Sequence, residues 1–272
     1  MIKEIKNNTA FVSVYRDAFN KRMRIDDYSG NLFEVIKIIQ SEIDVWVEKV
    51  IVKSRSEDLP FFLAQGFACE GFIKDYFSGA DMFFVVKYFS QERGFSSRWY
   101  EEQLMVEKIQ ATEIDTKKQL PADVQIATIH EAEELAELYK LVFTIYPTPL
   151  NNAAYISKTI EEGTIYVFTQ EDGEIVSAAS AEINSKYKNA ELTDCATLAQ
   201  AQGKGHIKKL LFKLEEKLFE KGFTCLYSIA RAQSFGMNKA FFQLGYTYGG
   251  RLINNCFISS GIEDMNVWYK TV

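Results

Sequence analysis

Apolar and polar positions along the chain fall into two arrays of alternating elements. From Asn31 onward, Leu32, Val35, Ile36, Ile39 and Ile43 share one face of an amphipathic helix, and Val50–Val52 is a short apolar run of strand type. SEDLPFFLAQGF then reads as a second helix, capped at Ser56 and ended by Gly66, and Phe67–Ile73 and Met82–Tyr88 read as strands. Residues before Gly30 carry no sustained period and read as a weakly ordered polar segment. The second array opens with a strand at Val124–Ile129 and a helix at His130–Phe143, with Leu135, Leu138 and Val142 on one face. A Pro-punctuated loop, IYPTPLNN, and a short helix at Tyr155–Glu161 follow. Three strands at Ile165–Thr169, Glu174–Ile183 and Ala190–Thr197 succeed one another through short turns, as antiparallel hairpins do. Leu210, Leu211, Leu214 and Leu218 mark a long helix to Lys221. Strand Cys225–Ile229, helix Ser234–Leu244 and strands Thr247–Ile253 and Met265–Tyr269 complete the array. The polar stretch Arg93–Asp123, partly helical around Glu101–Ile109, joins the two, with the boundary placed at Gln119–Asp123 near Pro121.

The arrays share letters as well as periods. FFLAQGFACEGF (Phe61–Phe72) aligns with AFFQLGYTYGGR (Ala240–Arg251), and DMFFVVKY (Asp81–Tyr88) with DMNVWYK (Asp264–Lys270). The spacing from Gly66 to Asp81 is 15 residues and from Gly245 to Asp264 is 19, a difference of 4. This is a degenerate repeat in which an N-terminal domain, residues 1–118 with its linker from about 93, copies the second half of a C-terminal domain, residues 119–272. The overall class is mixed α/β (α+β).

Composition narrows the chemistry. With 47% hydrophobic and 25% charged residues the chain has a globular profile, and no apolar run approaches the ~20 residues of a membrane span. MIKEIKNN lacks the apolar core of a signal peptide, so a cytoplasmic location is expected. The 4 cysteines, Cys69, Cys195, Cys225 and Cys256, are far apart in apolar contexts and read as separate buried thiols, with no metal site. A net charge of −6 argues against a nucleic-acid partner and suits a small cationic one.

One stretch carries a chemical signature. In NAELTDCATLAQAQGKGHIKKLL (Asn189–Leu211) a strand of alternating residues runs into Gly203 and Gly205 and then into the leucine-marked helix. A strand, a glycine turn and a helix start form a pyrophosphate cradle, because unpaired N–H groups and the positive end of the helix dipole face the anion. The dinucleotide fingerprint fails at Lys208, and no Walker Gly-Lys-Ser/Thr is present.

QGKGHI resembles the acetyl-coenzyme A signature of the GNAT acyltransferase superfamily, Gln/Arg-x-x-Gly-x-Gly/Ala, with Ile207 standing where that family usually has Gly or Ala. The element order from about residue 124 to the C-terminus is similar to the GNAT fold. The resemblance implies a C-terminal GNAT domain, preceded by a smaller half-GNAT-like domain without a cradle, for which a structural or homodimerising role is expected. It implies acetyl-CoA as cosubstrate, held by Gln202, Gly203, Lys204, Gly205 and His206. Cradling aside, acetyl transfer to an amine requires a base to remove the ammonium proton and a donor for the developing oxyanion. A backbone N–H of Thr197 or Leu198 fits the donor. Acetyltransferases of the histone-modifying type carry a strand glutamate 11 residues before the first motif letter, the position of Glu191 relative to Gln202. Asp194 is the second candidate base, although strand parity points it to the other face. The tyrosine that usually protonates the leaving thiolate is replaced by Phe241, with Tyr246 and Tyr248 nearby.

NAELTDCATL, YSIARAQSFGMN, GYTYGGRLINN and DMNVWYK, with KVIVKS and GFACEGF in the N-terminal domain, resemble the beta-lysine N-acetyltransferase family. That resemblance implies acetylation of the 6-amino group of beta-lysine (3,6-diaminohexanoate), giving a neutral compatible solute. A pocket for such an acceptor needs a cation for its carboxylate, for which Arg231 or Arg251 are candidates, with Asn254 beside them and Tyr146 closing over. An acetyltransferase for another amine, a peptide included, and a non-catalytic acyl-CoA sensor remain as alternatives.

Overall fold

The computed structural model describes residues 2–114, 123–258 and 261–272; most of the expected domain boundary, residues 119–122, lies outside these. In chain order the elements are β1 (Ile2–Lys6), β2 (Ala10–Asp17), β3 (Arg22–Gly30), α1 (Leu32–Ser41), β4 (Lys49–Arg55), α2 (Leu59–Ala64), β5 (Ala68–Ile73), β6 (Met82–Tyr88) and α3 (Trp99–Gln110). There follow β7 (Gln125–Ile126), α4 (Ala132–Val142), α5 (Ala153–Glu161), β8 (Ile165–Glu171), β9 (Glu174–Asn184), β10 (Asn189–Thr197) and α6 (His206–Glu220). The last are β11 (Cys225–Arg231), α7 (Phe235–Gln243), β12 (Thr247–Ile258) and β13 (Gly261–Thr271).

Several expectations are corrected here. The segment before Gly30 is ordered as β1, β2 and β3, paired antiparallel. Val12 and Val14 on one strand and Met23 and Ile25 on the next point inward between less buried neighbours, a period-2 pattern short enough to be masked by the flanking charges. Ser56 caps nothing; it begins a single 3-10 turn that leads into α2. The joining stretch, expected to be partly helical around Glu101–Ile109, does form α3, and it packs on the C-terminal half: Ile109 is buried in that core and Arg251 Nη1 donates to the Trp99 carbonyl at 2.8 Å. Among the cysteines, all free, Cys69 is exposed.

One 13-stranded sheet runs β1-β2-β3-β4-β6-β5-β12-β13-β11-β10-β9-β8-β7. Its centre reads alike from either side of the β5–β12 pair: β4-β6-β5 mirrors β11-β13-β12, and beyond them β3 pairs parallel with β4 as β10 does with β11. The two halves are therefore related by an approximate two-fold axis, and the correspondence reaches past the shared letters to β2 and β3, the counterparts of β9 and β10. Gly71 and Gly250, each five residues beyond an aligned glycine (71 − 66 and 250 − 245), pair with one another at the axis.

This seam requires bare backbone. A Cβ on Gly250, at φ 127°, would stand 2.4 Å from the Glu70 carbonyl oxygen, and one on Gly249 would stand 2.3 Å from that of Phe72. Around it the core is shared: Ile51, Ile73, Met82 and Phe84 pack in one cluster with Tyr227, Leu252, Met265 and Val267. Buried Lys49 ties the halves together, its Nζ 2.7 Å from Glu70 Oε2 and 2.7 Å from the Ile253 carbonyl. Losing either partner of such a pair would strand a charge in the interior.

Candidate active site

The cradle follows from local backbone chemistry. β10 passes through Leu198 and a 3-10 turn, Ala199–Ala201, to Gln202. Gly203 and Gly205 then take φ of 79° and 83°, a region that suits glycine, and Gly205 is the N-cap of α6 with no side chain capping the helix. An uncapped helix start offers N–H groups and the positive end of its dipole to an anion. A groove of about 640 Å³ leads from Gln202, Gly203 and Gly205 past Ile207 to Thr197 and Cys195. Lys204 does not line this groove, and the side chains of Lys204 and His206 are both engaged with neighbouring residues. Lys204 Nζ lies 2.7 Å from Glu171 Oε2, and the buried His206 ring bonds Thr169 Oγ1 at 3.0 Å and Glu171 Oε1 at 3.2 Å.

Two irregularities open the sheet where this groove arrives. β10 and β11 pair only from Asn189 to Glu191, opposite Cys225 to Tyr227, and then diverge. Against β9, the register of β10 shifts between Thr193 and Ala196, a bulge at which Asp194 sits with φ 52°. The extra residue cancels the parity argument: Asp194, expected on the far face, lines the same cavity as Glu191. The Leu198 N–H, one of two candidate oxyanion donors, is spent on the Val176 carbonyl at 2.9 Å. Antiparallel alternation then turns the Thr197 N–H away from β9, toward the gap beside β11.

The cavity holding Glu191 has a volume of about 350 Å³ and is walled by both halves of the chain. A hollow of about 130 Å³, lined by Tyr146 and Asp194 on one side and Cys195, Arg231 and Ser234 on the other, joins it to the groove. From the C-terminal half come Glu182, Glu191 and Asp194; from the N-terminal half come Arg24 and Lys53, together with Arg22 and Asp17, which pair with each other at 2.8 Å. Asp194 is held by two hydroxyl donors, Ser180 at 2.6 Å and Tyr146 at 2.9 Å, yet burial still pushes its carboxyl up to about 6. Glu191 faces Glu182 directly across β9 and β10. Removal from water, and then the Glu182 charge, push the Glu191 carboxyl up to about 7 against the pull of Lys53 and Arg24.

A stability consequence follows. The folded chain keeps a proton on Glu191 to about pH 7, whereas the unfolded chain sheds it near the ordinary 4.5. The stability this group contributes is therefore complete below the lower value and is lost as pH rises through the upper one. Glu191→Gln is expected to melt above the parent at pH 8 and level with it at pH 4, by scanning calorimetry. A variant melting lower at pH 8 would mean that Arg24 and Lys53 outweigh burial.

The remaining candidates divide. Tyr146 is in the site, stacked on Phe143 at 4.3 Å between ring centroids. Arg231 lines the groove and the hollow but is clamped by Glu263, at 2.8 and 2.7 Å, and does not line the Glu191 cavity. Asn254 is elsewhere, its amide donating to the carbonyls of Glu92 at 3.1 Å and Phe95 at 2.9 Å. Buried Arg251 is bound to Asn266 at 2.9 Å. Phe241 is fully buried against Tyr246, and neither Tyr246 nor Tyr248 reaches the groove. Sequence reasoning missed Glu182, whose one available signal was its place at the polar end of a strand preceding Glu191. It also missed Arg24 and Lys53, for which nothing local gave a signal.

A strand opened beside an uncapped glycine cradle, with carboxylates at the opening, defines an acyltransferase site. A model described as the acetyltransferase (GNAT) family matches residues 132–246. Over 99% of its length the chain is 38% identical to the N-acetyltransferase YodP of Bacillus subtilis, covering 99% of that protein. It is 34% identical to the Beta-lysine N(6)-acetyltransferase of Methanococcus maripaludis, with 99% of each covered. A protein of the same name from Methanosarcina mazei is 36% identical over 75% of this chain and 84% of its own. The chain belongs to the GNAT family and is an acetyl-CoA-dependent N-acetyltransferase. Among the described residues no helix is long and apolar enough to cross a membrane.

Proposed function

We propose that the chain acetylates the terminal amine of a small diamino acid, with beta-lysine as acceptor and its 6-amino group as the site. The observation that carries this reading is the charge pattern of the cavity, with Glu182, Glu191 and Asp194 contributed by one half and Arg24 and Lys53 by the other. Two ammonium groups and one carboxylate complement that pattern, and about 350 Å³ suits a small molecule better than an extended peptide. Two relatives named Beta-lysine N(6)-acetyltransferase support the same acceptor.

Acetyl-CoA supplies the activated acetyl group. The backbone from Gln202 to Gly205 holds its pyrophosphate, and the gap between β10 and β11 admits its thioester arm. Glu191, with its carboxyl near neutrality, takes the proton from the acceptor ammonium. The freed amine nitrogen bonds to the acetyl carbon as the carbon–sulfur bond breaks, the bond pair leaving on sulfur as the coenzyme A thiolate and the proton that the nitrogen sheds on becoming an amide ending on that thiolate, with the Thr197 N–H facing the carbonyl oxygen. Asp194, fixed by Ser180 and Tyr146, holds the ammonium in line. The test is thiol release from acetyl-CoA with beta-lysine, lysine, a simple diamine and a lysine-bearing peptide. Beta-lysine is expected to show the highest kcat/KM; a preference for the peptide would overturn the reading.

A further inference from the structure

The two-fold relation places one position of each half in the same cavity. Arg231 pairs with Met265 as Arg55 pairs with Met82, and the two methionines belong to the shared Asp-Met letters, so β11 and β4 are equivalent residue by residue. Glu191 pairs with Tyr227 and Arg24 pairs with Ile51, the equivalent of Tyr227, so Arg24 is the two-fold counterpart of Glu191. Both line the cavity. The N-terminal half, expected from its missing cradle to be structural, thus builds one wall of the acceptor site with charge of the opposite sign.

We propose that Arg24 and Lys53 form the carboxylate-binding end of this cavity and set its preference for amino acids over simple diamines. The proposal rests on the small diamino acid reading above. Asp26 serves both cations: Arg24 Nε and Nη2 lie 2.6 and 3.1 Å from it, and Lys53 Nζ lies 3.0 Å from it and 3.0 Å from Tyr76 Oη. Among the described residues Asp26 is the carboxylate bonded to these two cations; Glu182 and Glu191, across the same cavity, feel their charge without a hydrogen bond to either. A guanidinium has five N–H donors, so the bidentate contact with Asp26 leaves donors for a second carboxylate. Arg24 lies with its guanidinium carbon 4.9 Å from the centroid of the Tyr15 ring, and Tyr15 lines the cavity too. Arg22, the other cation on this wall, is occupied structurally, by Asp17 at 2.8 Å and the Asn255 carbonyl at 2.9 Å.

The test compares beta-lysine with 1,4-diaminopentane, which is beta-lysine without its carboxylate, in the full-length chain. Two variants are made: Lys53→Met, and Arg24→Gln, in which Lys53 Nζ still pairs with Asp26 at 3.0 Å so that no buried carboxylate is left unpaired. Acetyl-CoA affinity by calorimetry confirms that each retains its fold. Each is expected to reduce the ratio of kcat/KM for beta-lysine to that for the diamine by about tenfold or more, the scale of a lost charge-assisted contact, mainly through the beta-lysine KM. Lys53→Arg, which keeps the charge, should retain the preference. An unchanged ratio in both folded variants would overturn the proposal while leaving the acceptor assignment standing. No preference for beta-lysine in the parent would overturn both, and that result is read before any variant is made.

Discussion

Glu191→Gln should lower kcat by about 10²-fold or more while the affinity for acetyl-CoA stays at the parental value. The amide keeps the shape and hydrogen-bonding reach of the carboxylate but cannot accept a proton, so the acceptor must arrive already neutral. Activity should therefore recover as pH rises toward the amine's own pKa of about 10. In the parent, kcat/KM should rise across the titration of the Glu191 carboxyl, near pH 7, and not at the ordinary carboxylate pH. Asp194→Asn is not a silent control, because the bulge puts it in the same cavity. Its loss should appear in the acceptor KM and should not be rescued by alkali, since the amide still occupies the place between Ser180 and Tyr146 but no longer attracts an ammonium. If alkali restores Asp194→Asn and leaves Glu191→Gln inactive, the two roles are exchanged.

The difference between those two carboxylates marks where the sequence stops being informative. The cradle was legible because it is built from chain neighbours: two glycines, a helix start and the strand before it. Glu191 was legible through its spacing to that motif. Asp194 was misplaced because one inserted residue reverses every side chain beyond it, and a bulge with an aspartate at φ 52° leaves no mark on the apolar pattern. Tyr146 was found, as a loop tyrosine, without its partner. The acceptor's expected cation was sought on Arg231, at the end of β11 beside the opening, and on Arg251, on β12 two strands away, but Glu263 and Asn266 already hold those side chains.

Arg24 and Lys53 were out of reach for a different reason. They are more than 130 residues from Glu191 in the chain, and the pairing of β5 with β12 brings their strands around to face it. The repeat in the letters was visible, yet its consequence for the site was not, since shared letters say which segments are alike and nothing about how the copies pair. Gly71 against Gly250 supplies that information. A half-domain that lacks a cradle can still supply a wall.

Gly205→Asp should raise the Kd for acetyl-CoA by about 10²-fold or more without unfolding the chain. No atom lies within 4 Å of a Cβ built at Gly203 or Gly205, so the substitution meets no steric obstacle from the protein itself. What it meets is backbone strain at φ 83° and its own charge. An aspartate at a helix N-cap accepts the first-turn N–H groups, which offsets the strain and takes from the pyrophosphate the donors it needs, while setting a negative charge where the anion must sit. Two or three lost charge-assisted bonds at ~1.5 kcal/mol each already account for that loss, at ~1.4 kcal/mol per tenfold. Gly205→Ala separates the causes, because it carries the strain without the charge and should bind acetyl-CoA only a few-fold more weakly. If Gly205→Asp binds acetyl-CoA by calorimetry as the parent does, the pyrophosphate is held elsewhere than at the start of α6; if Gly205→Ala loses binding as completely, backbone strain and not charge governs the cradle.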